Sequence, residues 1–527
     1  MKSTLFYNGI FHSGTTEDAV FSYMTTEDGM ITGTYANKPL GTFDQEISLD
    51  GAHVYPCLID AHLHLLFTIV SMAMGIQACE VTANGIDPPN IAGVEQRIRA
   101  FASKQKKGVP LLASNYVLSA IEEHRLPTKQ ELDDWAGGRP IVVYNIDGHA
   151  SALSTEMLKL VGIDPESSDG VLSGEAHERI QGRLTDVISK HVGLADLARG
   201  TAMFQNACAR YGIGIVGALE GNGDSPKDGG TALLVKMARH FDIGVRVYFQ
   251  YFDLSRVQGF AKYQKHLRIG GCGDWEMDGS SGAHSAAFSV PYTDTGKSAP
   301  CYYSQEEVDN LVRRADKKGY QIASHAIGDA AIERIITALN QTGSGRLHRI
   351  EHCEFLSDES FEELKAGRYA VVMQPGYAWI DKRMLHTYTQ FLPPEITARM
   401  KFKSLCDAGI CVCGSSDSPV QDMDPYLQML GMIEFYNEAE SVTPYEAFRT
   451  YTINPARAIL EENEYGTLEP GKHADFFTAD ENFFSLTPEG VRDFRPTATY
   501  YGGTRYKEKS GSVLEFIRMM MTRGHLV

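Results

Sequence analysis

The sequence lacks three features that would assign it to common classes of protein. Its nine cysteines are scattered, odd in number and without a CxxC spacing, which argues against a disulfide framework or a zinc ribbon. The formal net charge is −18 at pH 7, whereas a phosphate-backbone partner calls for clustered lysine and arginine. The first residues lack the apolar h-region of a signal peptide, and the most lipid-like run, 65–76, is too short to span a bilayer. We therefore expect a cytoplasmic chain with neither a nucleic-acid nor a membrane partner.

The cysteines are expected to be reduced side chains of a hydrophobic core. They are Cys57, Cys79, Cys208, Cys272, Cys301, Cys353, Cys406, Cys411 and Cys413. Cys411 and Cys413 alternate within an apolar run, which is typical of buried strand thiols.

With 527 residues, the chain exceeds what one hydrophobic core usually holds. Between residues 56 and 460, apolar strand-like runs alternate with helical patterns, which predicts a parallel α/β domain and fits a (β/α)8 TIM barrel with insertions. The strand candidates include 140–144, 214–218, 244–249, 321–324, 347–350, 370–373 and 410–413. Residues 1–55 and 461–527 contain short β-like segments separated by turn residues, so we expect one small β domain formed by both ends of the chain.

Two histidines, His62 and His64, are one strand repeat apart in the segment LIDAHLH, 58–64. Alternate side chains of a strand share a face, so both imidazoles can reach one divalent metal. Taken alone, such a pair is more often two buried or surface histidines.

Three further residues occupy the same structural position, the end of an apolar strand. They are His325 in SHAIGD, His352 in RIEHC and Asp417 in GSSDSP. Barrel enzymes have their active sites at this C-terminal rim of the strands. A lone histidine there is more often structural, but these positions together with the first pair predict a metal site.

This set of strand-end residues resembles that of the amidohydrolase superfamily. Within it, the chain resembles the YtcJ-like branch (amidohydrolase family 3), which includes formamide deformylases. The segments that carry the resemblance span residues 56 to 477, and they are PCLIDAHLHL, DGHA, SHAIGDAAIERI, RIEHCEFL, GSSDSPV, TINPARAI and GTLEPGKHADF. The resemblance implies a metal-binding (β/α)8 barrel with a small β-sandwich made from both chain ends.

The resemblance also implies residue roles. His62 and His64 are expected to bind the more buried metal, and His325 and His352 to bind or adjoin a second metal position. Asp417 is expected to contact metal and to take the proton from the attacking water. His149, in DGHA, is expected to face the site and polarise the substrate carbonyl, although a hydrogen-bonding loop histidine is an equal alternative.

One segment departs from the family pattern. Many relatives carry a lysine shortly before an Asp-Gly pair, and its carboxylated form bridges two metals, but the segment GDWEMDGS, 273–280, has no lysine. Glu276 or Asp274 could supply an oxygen bridge instead, or either could be a loop carboxylate. A mononuclear site is therefore an alternative to a pair of metals.

The predicted function is metal-dependent hydrolysis of a carbon–nitrogen bond, other than a peptide bond, in a small molecule such as an amide, an N-formyl compound or a cyclic amide. The alternatives are a deaminase or esterase that uses the same site, and a metal-binding barrel without hydrolytic activity. Zinc suits imidazole and carboxylate ligands first, although iron, manganese and cobalt also suit them. A homo-oligomer is compatible with the sequence, which shows no interface.

Overall fold

The computed structural model describes residues 3–82, 85–223, 228–367, 369–383 and 388–527. The chain begins with seven short strands: β1 (Ser3–Tyr7), β2 (Ile10–His12), β3 (Val20–Phe21), β4 (Tyr23–Glu27), β5 (Met30–Tyr35), β6 (Gln45–Ser48) and β7 (His53–Pro56). Four of them form a sheet in the order β5-β4-β1-β6. In β5 the buried residues Ile31 and Gly33 alternate with more exposed ones, as expected for a sheet with one covered face.

The first strand of the central barrel is β8 (Leu58–Leu63), which is followed by α1 (Leu65–Met74). An inserted unit then precedes the second barrel strand. Its strands are β9 (Gly75–Gln77), β10 (Glu80–Thr82), β11 (Gly85–Asp87), β12 (Leu111–Tyr116), β13 (Ile141–Asn145), β14 (Ala150–Leu153) and β15 (Val171–Ser173). Its helices are α2 (Ile91–Lys104), α3 (Lys129–Trp135), α4 (Thr155–Leu160), α5 (Glu175–Glu178) and α6 (Gln181–Ser189), with a 3-10 turn at Pro165–Ser167. The unit leads into α7 (Leu194–Tyr211).

The strand predicted at 140–144 lies in this inserted unit and not in the barrel. It is β13, part of a five-stranded sheet with the order β15-β14-β13-β12-β9. Ile141 and Val143 belong to one buried cluster, and Val142 and Tyr144 belong to another. Because both faces of β13 are covered, its sequence is as continuously apolar as that of a barrel strand.

The remaining barrel strands alternate with helices. The strands are β16 (Ile213–Glu220), β17 (Gly244–Phe249), β18 (Arg268–Glu276), β19 (Gln321–Ala326), β20 (His348–His352), β21 (Tyr369–Met373) and β22 (Cys411–Gly414). The helices are α8 (Gly229–Ala238), α9 (Leu254–Phe260), α10 (Gln305–Lys317), α11 (Asp329–Leu339), α12 (Asp358–Ala366), α13 (Gly376–Arg383), α14 (Tyr388–Phe391), α15 (Pro394–Thr397), α16 (Lys403–Asp407) and α17 (Pro425–Ile433). Two 3-10 turns, Ala261–Tyr263 and Glu438–Glu440, belong to the same region.

The barrel is an eight-stranded, all-parallel sheet in the order β22-β21-β20-β19-β18-β17-β16-β8. The ring is nearly closed, because the loop after β22 bonds to β8. The Asp417 amide donates to the His62 carbonyl at 2.8 Å, and the Ser416 amide donates to the Asp60 carboxylate at 3.0 Å. The structure is therefore of the TIM-barrel type, as predicted.

The outer helices bury one apolar face each. In α10 the buried residues Val308, Leu311, Val312 and Ala315 recur at helical spacing. Ser304 begins the helix with a capping box, in which its hydroxyl accepts from the Glu307 amide. With this face α10 packs on β19 and on the neighbouring helix α11.

The chain ends with α18 (Pro444–Arg449), α19 (Ile453–Ala458), β23 (Phe476–Ala479), a 3-10 turn at Phe483–Ser485, α20 (Pro488–Asp493), β24 (Ala498–Tyr501), β25 (Thr504–Arg505) and α21 (Val513–Met520). A six-stranded sheet, β25-β24-β23-β7-β2-β3, joins C-terminal to N-terminal strands, and β23 pairs with β7 in antiparallel fashion. Within the described ranges, no helix has the length and apolar character required to cross a bilayer.

Candidate metal centre

The residues predicted as metal ligands meet at the C-terminal rim of the barrel. His62 lies near the end of β8 and His64 directly after it, while His325 and His352 are on β19 and β20, and Asp417 follows β22. The His325 and His352 rings are 4.3 Å apart, and the His62 and His352 rings are 5.0 Å apart, centroid to centroid. The four histidines form one group, called here the histidine cluster.

Asp417 approaches the first two histidines of the cluster. Its Oδ1 atom lies 3.1 Å from Nε2 of His62 and 3.3 Å from Nε2 of His64. Burial on its own raises the pKa of Asp417, but the neighbouring imidazoles of His62 and His64 outweigh burial and hold this pKa well below its usual value. The carboxylate therefore stays ionised and can accept a proton or bind a cation.

A residue that the sequence analysis assigned to the core lies among the histidines. Cys272, on β18, is 6% exposed, and its Sγ atom is 3.7 Å from His62 Nε2, 3.8 Å from His352 Nε2 and 3.9 Å from His325 Nδ1. Its potential ligand atom lies within 4.8 Å of those of two histidine pairs, His62 with His64 and His325 with His352. Cys272 is a buried free thiol packed in the core, as predicted, but it also faces the histidines, which the sequence analysis did not foresee. The signal that could have located it is a cysteine between glycines at the end of a barrel strand.

Buried partners fix the orientation of two histidines. Nδ1 of His62 is 2.7 Å from the Glu351 carboxylate, which in turn accepts from the Arg349 guanidinium at 2.7 and 2.8 Å. Burial on its own raises the pKa of Glu351, but Arg349 and His62 together outweigh burial and lower it to about 2. Nδ1 of His352 is 2.7 Å from Oε1 of Gln374. Both histidines thus direct Nε2 toward the site, and sequence reasoning identified neither partner.

His149 reaches the site from the inserted unit, between β13 and β14. Its ring lies 5.2 Å from that of His325, and its Nδ1 is 2.8 Å from the Glu178 carboxylate. Burial opposes charge on both partners, but their mutual attraction outweighs it, raising the pKa of His149 to about 10 and lowering that of Glu178. The ring is therefore protonated at neutral pH and can donate a hydrogen bond.

The two carboxylates predicted as alternative bridges differ in their surroundings. Glu276 lies with His149 and Glu178, their ligand atoms all within 4.8 Å, and burial together with Glu178 raises its pKa well above the ordinary value. Asp274 accepts a hydrogen bond from the Phe252 amide at 2.9 Å and has no ligand atom in the groups formed by the described residues. Glu276 as a metal ligand stays a prediction.

In the segment 273–280, which differs from the family pattern, Asp278 of the Asp-Gly pair makes structural hydrogen bonds. The Asp278 carboxylate accepts from the amides of Ile327 at 3.0 Å, and of Gly328 and Ala287 at 2.8 Å. It also lies 3.5 Å from Nε2 of His325. Asp278 therefore holds the loop after β19 and the His325 ring in place.

A cavity of about 450 Å³ opens beside the cluster. His64, Cys272, His352 and Asp417 line it. His149, Glu178 and Glu276 face the same space, while Leu66, Phe67, Val70, Ile188 and Val192 form an apolar wall. A small organic molecule therefore fits beside the cluster, with polar groups on one side and an apolar surface on the other.

The donor set fits a divalent cation. Among the described residues, Oδ1 of Asp417 is one of the buried oxygens without a hydrogen-bond partner, although two imidazole nitrogens converge on it. Leaving such an oxygen unpaired is costly unless a cation compensates it. Imidazole nitrogens and carboxylate oxygens are donors that transition metals prefer, so the metal predicted from the sequence suits this site.

Comparison with known proteins agrees with this geometry. A model described as the amidohydrolase family matches residues 45–506. The chain is 24% identical over 531 residues to the protein of Bacillus subtilis (strain 168) that bears the name amidohydrolase YtcJ, covering 92% of this chain and 95% of that one. It is 25% identical over 506 residues to the N-substituted formamide deformylase of Arthrobacter pascens, covering 88% and 90%.

A solved structure, an uncharacterized metal-dependent hydrolase from Pyrococcus horikoshii OT3, has the same fold. Its TM-score is 0.70 at 20% sequence identity, and the match covers 93% of this chain and 99% of that one. The resemblance predicted from the motifs is confirmed by the family match. The chain belongs to the amidohydrolase family and is a metal-dependent hydrolase.

Proposed function

We propose that this protein hydrolyses a carbon–nitrogen bond, other than a peptide bond, in a small molecule such as an amide, an N-formyl compound or a cyclic amide. The observation that carries the proposal concerns Asp417, a residue that lines the cavity. Its Oδ1 is a buried oxygen without a hydrogen-bond partner, 3.1 and 3.3 Å from two imidazole nitrogens. An ionised carboxylate in such a position can exchange protons with a molecule in the cavity.

In this proposal Asp417 takes the proton from the attacking water and delivers it to the leaving nitrogen. Its low pKa keeps it ionised before the reaction, and it lines the cavity directly. His149, protonated beside Glu178, donates a hydrogen bond to the carbonyl oxygen and stabilises the negative charge that develops there. Glu276 faces the same space, and its ligand atom lies within 4.8 Å of those of His149 and Glu178.

A divalent metal would be held by His62, His64, His325, His352 and Asp417. When bound, it would supply Lewis-acid polarisation of the carbonyl and activation of water. Zinc is the first candidate, with iron, manganese and cobalt as alternatives that suit the same donors. Both one and two ions are compatible with the donor groups, with Glu276 retained as a predicted ligand of a second ion.

Several broader expectations belong to the same proposal. Residues 1–55 and 461–527 would form a small β-sandwich beside a barrel domain of residues 56–460. Its support is a buried cluster that Phe6 and Ile31 of one terminal sheet share with Phe476 and Tyr500 of the other. We further propose a cytoplasmic protein with a small-molecule substrate, and a homo-oligomer is compatible with this proposal.

The test is turnover of a substrate panel by the metal-loaded full-length chain. The panel contains an N-formylamine, a cyclic amide, an amino-substituted heterocycle and an ester. We expect hydrolysis of an amide-type member, and a loss of about 10²- to 10⁴-fold in Asp417→Asn with metal still bound by elemental analysis. The matched control is Asp424→Asn, since Asp424 is a buried helix cap, where asparagine keeps the cap and loses the ion pair with Arg495.

Other outcomes would contradict the proposal in different ways. Turnover of the heterocyclic amine alone would keep cleavage of a carbon–nitrogen bond but replace the amide-type substrate by that of a deaminase, and turnover of the ester alone would indicate an esterase. Bound metal without turnover of any member would favour a metal-binding barrel. Undiminished turnover in Asp417→Asn would remove this residue from the role of proton relay.

A further inference from the structure

The sulfur of Cys272 lies at the centre of the histidine cluster. Three imidazole nitrogens, from His62, His325 and His352, are within 4 Å of Sγ. Cys272 also belongs to two of the candidate ligand groups, one with His62 and His64 and the other with His325 and His352. A side chain that belongs to both groups is positioned to connect them.

We infer that Cys272 is a metal ligand, and that its thiolate is shared by the His62/His64 pair and the His325/His352 pair. This inference rests on the metal centre of the proposed function. The thiolate is the form of cysteine that binds metals, and the Sγ proton is released to solvent when the sulfur–metal bond forms.

The backbone around Cys272 is built to direct this side chain inward. On β18, Gly271 pairs with Ser324, and the next pair along β19 is Glu276 with His325, so residues 272–275 form a bulge. Gly270 and Gly271 have φ of +99° and +112°, and Gly273 has +62°. Glycine tolerates these conformations, and a bulge re-aims the side chain it carries.

A glutamine fixes the bulge from the neighbouring strand end. The Cys272 amide donates to Oε1 of Gln250 at 3.2 Å, and Nε2 of Gln250 donates to the Gly221 carbonyl at 2.8 Å. Both Cys272 and Gln250 line the cavity. The thiol is therefore held at the cavity floor by a buried hydrogen-bond pair.

The carboxylates of Asp274 and Glu276, which follow Cys272 on β18, do not lie at the centre of the histidine cluster. Asp274 is engaged by the Phe252 amide, and Glu276 Oε1 accepts from the Gly273 amide at 2.8 Å while facing His149. Within the described part of the chain, neither shares a candidate group with His62, His325 or His352. The thiol is thus the better placed donor for a shared ligand.

A buried apolar thiol is the simpler interpretation, since Leu219, Tyr248 and Ala323 also pack around Cys272. That interpretation explains one side of the sulfur only, because the other side faces three imidazoles. Other cysteines differ: Cys411 approaches the Asn454 carbonyl and Cys57 the Tyr500 carbonyl. A thiolate ligand would also favour zinc or cobalt over hard cations such as magnesium.

The test uses the full-length chain, stripped of metal by a chelator and reloaded with Co²⁺. We expect a near-ultraviolet band of thiolate-to-cobalt charge transfer in the wild type. Cys272→Ser should lose this band while still binding Co²⁺ by elemental analysis. Cys208→Ser, a matched substitution of a fully buried cysteine in α7, should keep it.

X-ray absorption of the zinc-loaded wild type provides a second measurement that needs no variant. We expect a sulfur scatterer among the zinc neighbours. Three outcomes would overturn the inference and leave the metal centre intact. They are bound cobalt without the charge-transfer band, bound zinc without a sulfur neighbour, and a band that persists in Cys272→Ser. Failure of the wild type to bind cobalt or zinc would overturn the metal centre itself, and this inference with it.

Discussion

Gln374 determines which nitrogen of His352 faces the candidate centre. Its Oε1 lies 2.7 Å from Nδ1 of His352, and its Nε2 donates to the Ser415 hydroxyl at 3.0 Å. The Ser415 hydroxyl donates to the Met373 carbonyl at 2.9 Å and therefore accepts from the amide nitrogen of Gln374. The amide oxygen then faces the ring, and Nδ1 of His352 carries the hydrogen. Nε2 of His352 is then left with a free lone pair, as metal binding requires.

We predict that Gln374→Met weakens zinc binding by about 10- to 100-fold, because the ring loses the partner that sets its tautomer and orientation. The measurement is zinc affinity by competition with a chromophoric chelator. Gln321→Met is the control, because Gln321 is also buried but begins β19, at the end of that strand opposite to His325. Equal affinities for the two variants would show that Gln374 does not orient a ligand.

For single residues, the sequence identified candidate site residues where they lie at the end of a strand. His62, His325, His352 and Asp417 could be selected because parallel strands bring their ends to one rim. Their partners could not be selected in this way. Glu178 and Gln374 come from other elements, and nothing in the local sequence links them to a particular histidine. Cys272 was missed because a buried cysteine is usually a core residue.

Gly270, two residues before the bulge of β18, lies in a tightly packed stretch of backbone. A Cβ atom added at Gly270 would lie 1.8 Å from the Ala323 carbonyl oxygen of the neighbouring strand, and the residue has φ of +99°. A backbone atom of a central barrel strand cannot move away easily. The glycine is therefore required by both space and conformation.

We predict that Gly270→Ala lowers the free energy of unfolding by about 1–3 kcal/mol or more, through strain and strand displacement. The measurement is urea unfolding. Gly259→Ala in α9 is the control, because a Cβ there meets nothing within 4 Å, and it should stabilise the protein by about 0.5–1 kcal/mol. An unchanged midpoint for Gly270→Ala would show that the bulge has room to adjust.

Strands and helices could be predicted where periodicity is strong, but not their assignment to sheets. The apolar run 140–144 is a strand as predicted, yet it forms β13 of the inserted sheet. Burial on both faces gives inserted and barrel strands the same apolar pattern. Sheet membership depends on pairing between distant segments, which one sequence does not encode in a local signal.

For the whole molecule, β23 connects two hydrophobic cores. Phe476 packs against Phe6 and Tyr500 of the terminal sheets, at ring distances of 5.1 and 4.5 Å. Phe477, on the opposite face, packs against Tyr55 at 5.4 Å and belongs to the large core of the barrel. The β-like sequence of both chain ends predicted a shared domain. It did not predict that one strand would pack against both hydrophobic cores.

We predict that the terminal sheets and the barrel unfold together. Phe476→Ala and Phe477→Ala should each cost about 3–5 kcal/mol by leaving a cavity in a different core. If β23 separates from β7, the Phe477 side of the strand leaves the barrel core as well, so damage on either face should destabilise both regions. The terminal sheets cannot then melt alone.

The tryptophans make this prediction measurable, because Trp135, Trp275 and Trp379 are the three in the chain and all lie between residues 56 and 460. Their fluorescence therefore reports on the barrel and its inserted unit, whereas far-ultraviolet circular dichroism reports on the whole chain. In Phe476→Ala, both probes should give the same lowered midpoint, which is the signature of one cooperative transition. An early loss of dichroism with the fluorescence midpoint unchanged would mean that the terminal sheets fold as an independent domain, and that β23 does not couple the two cores.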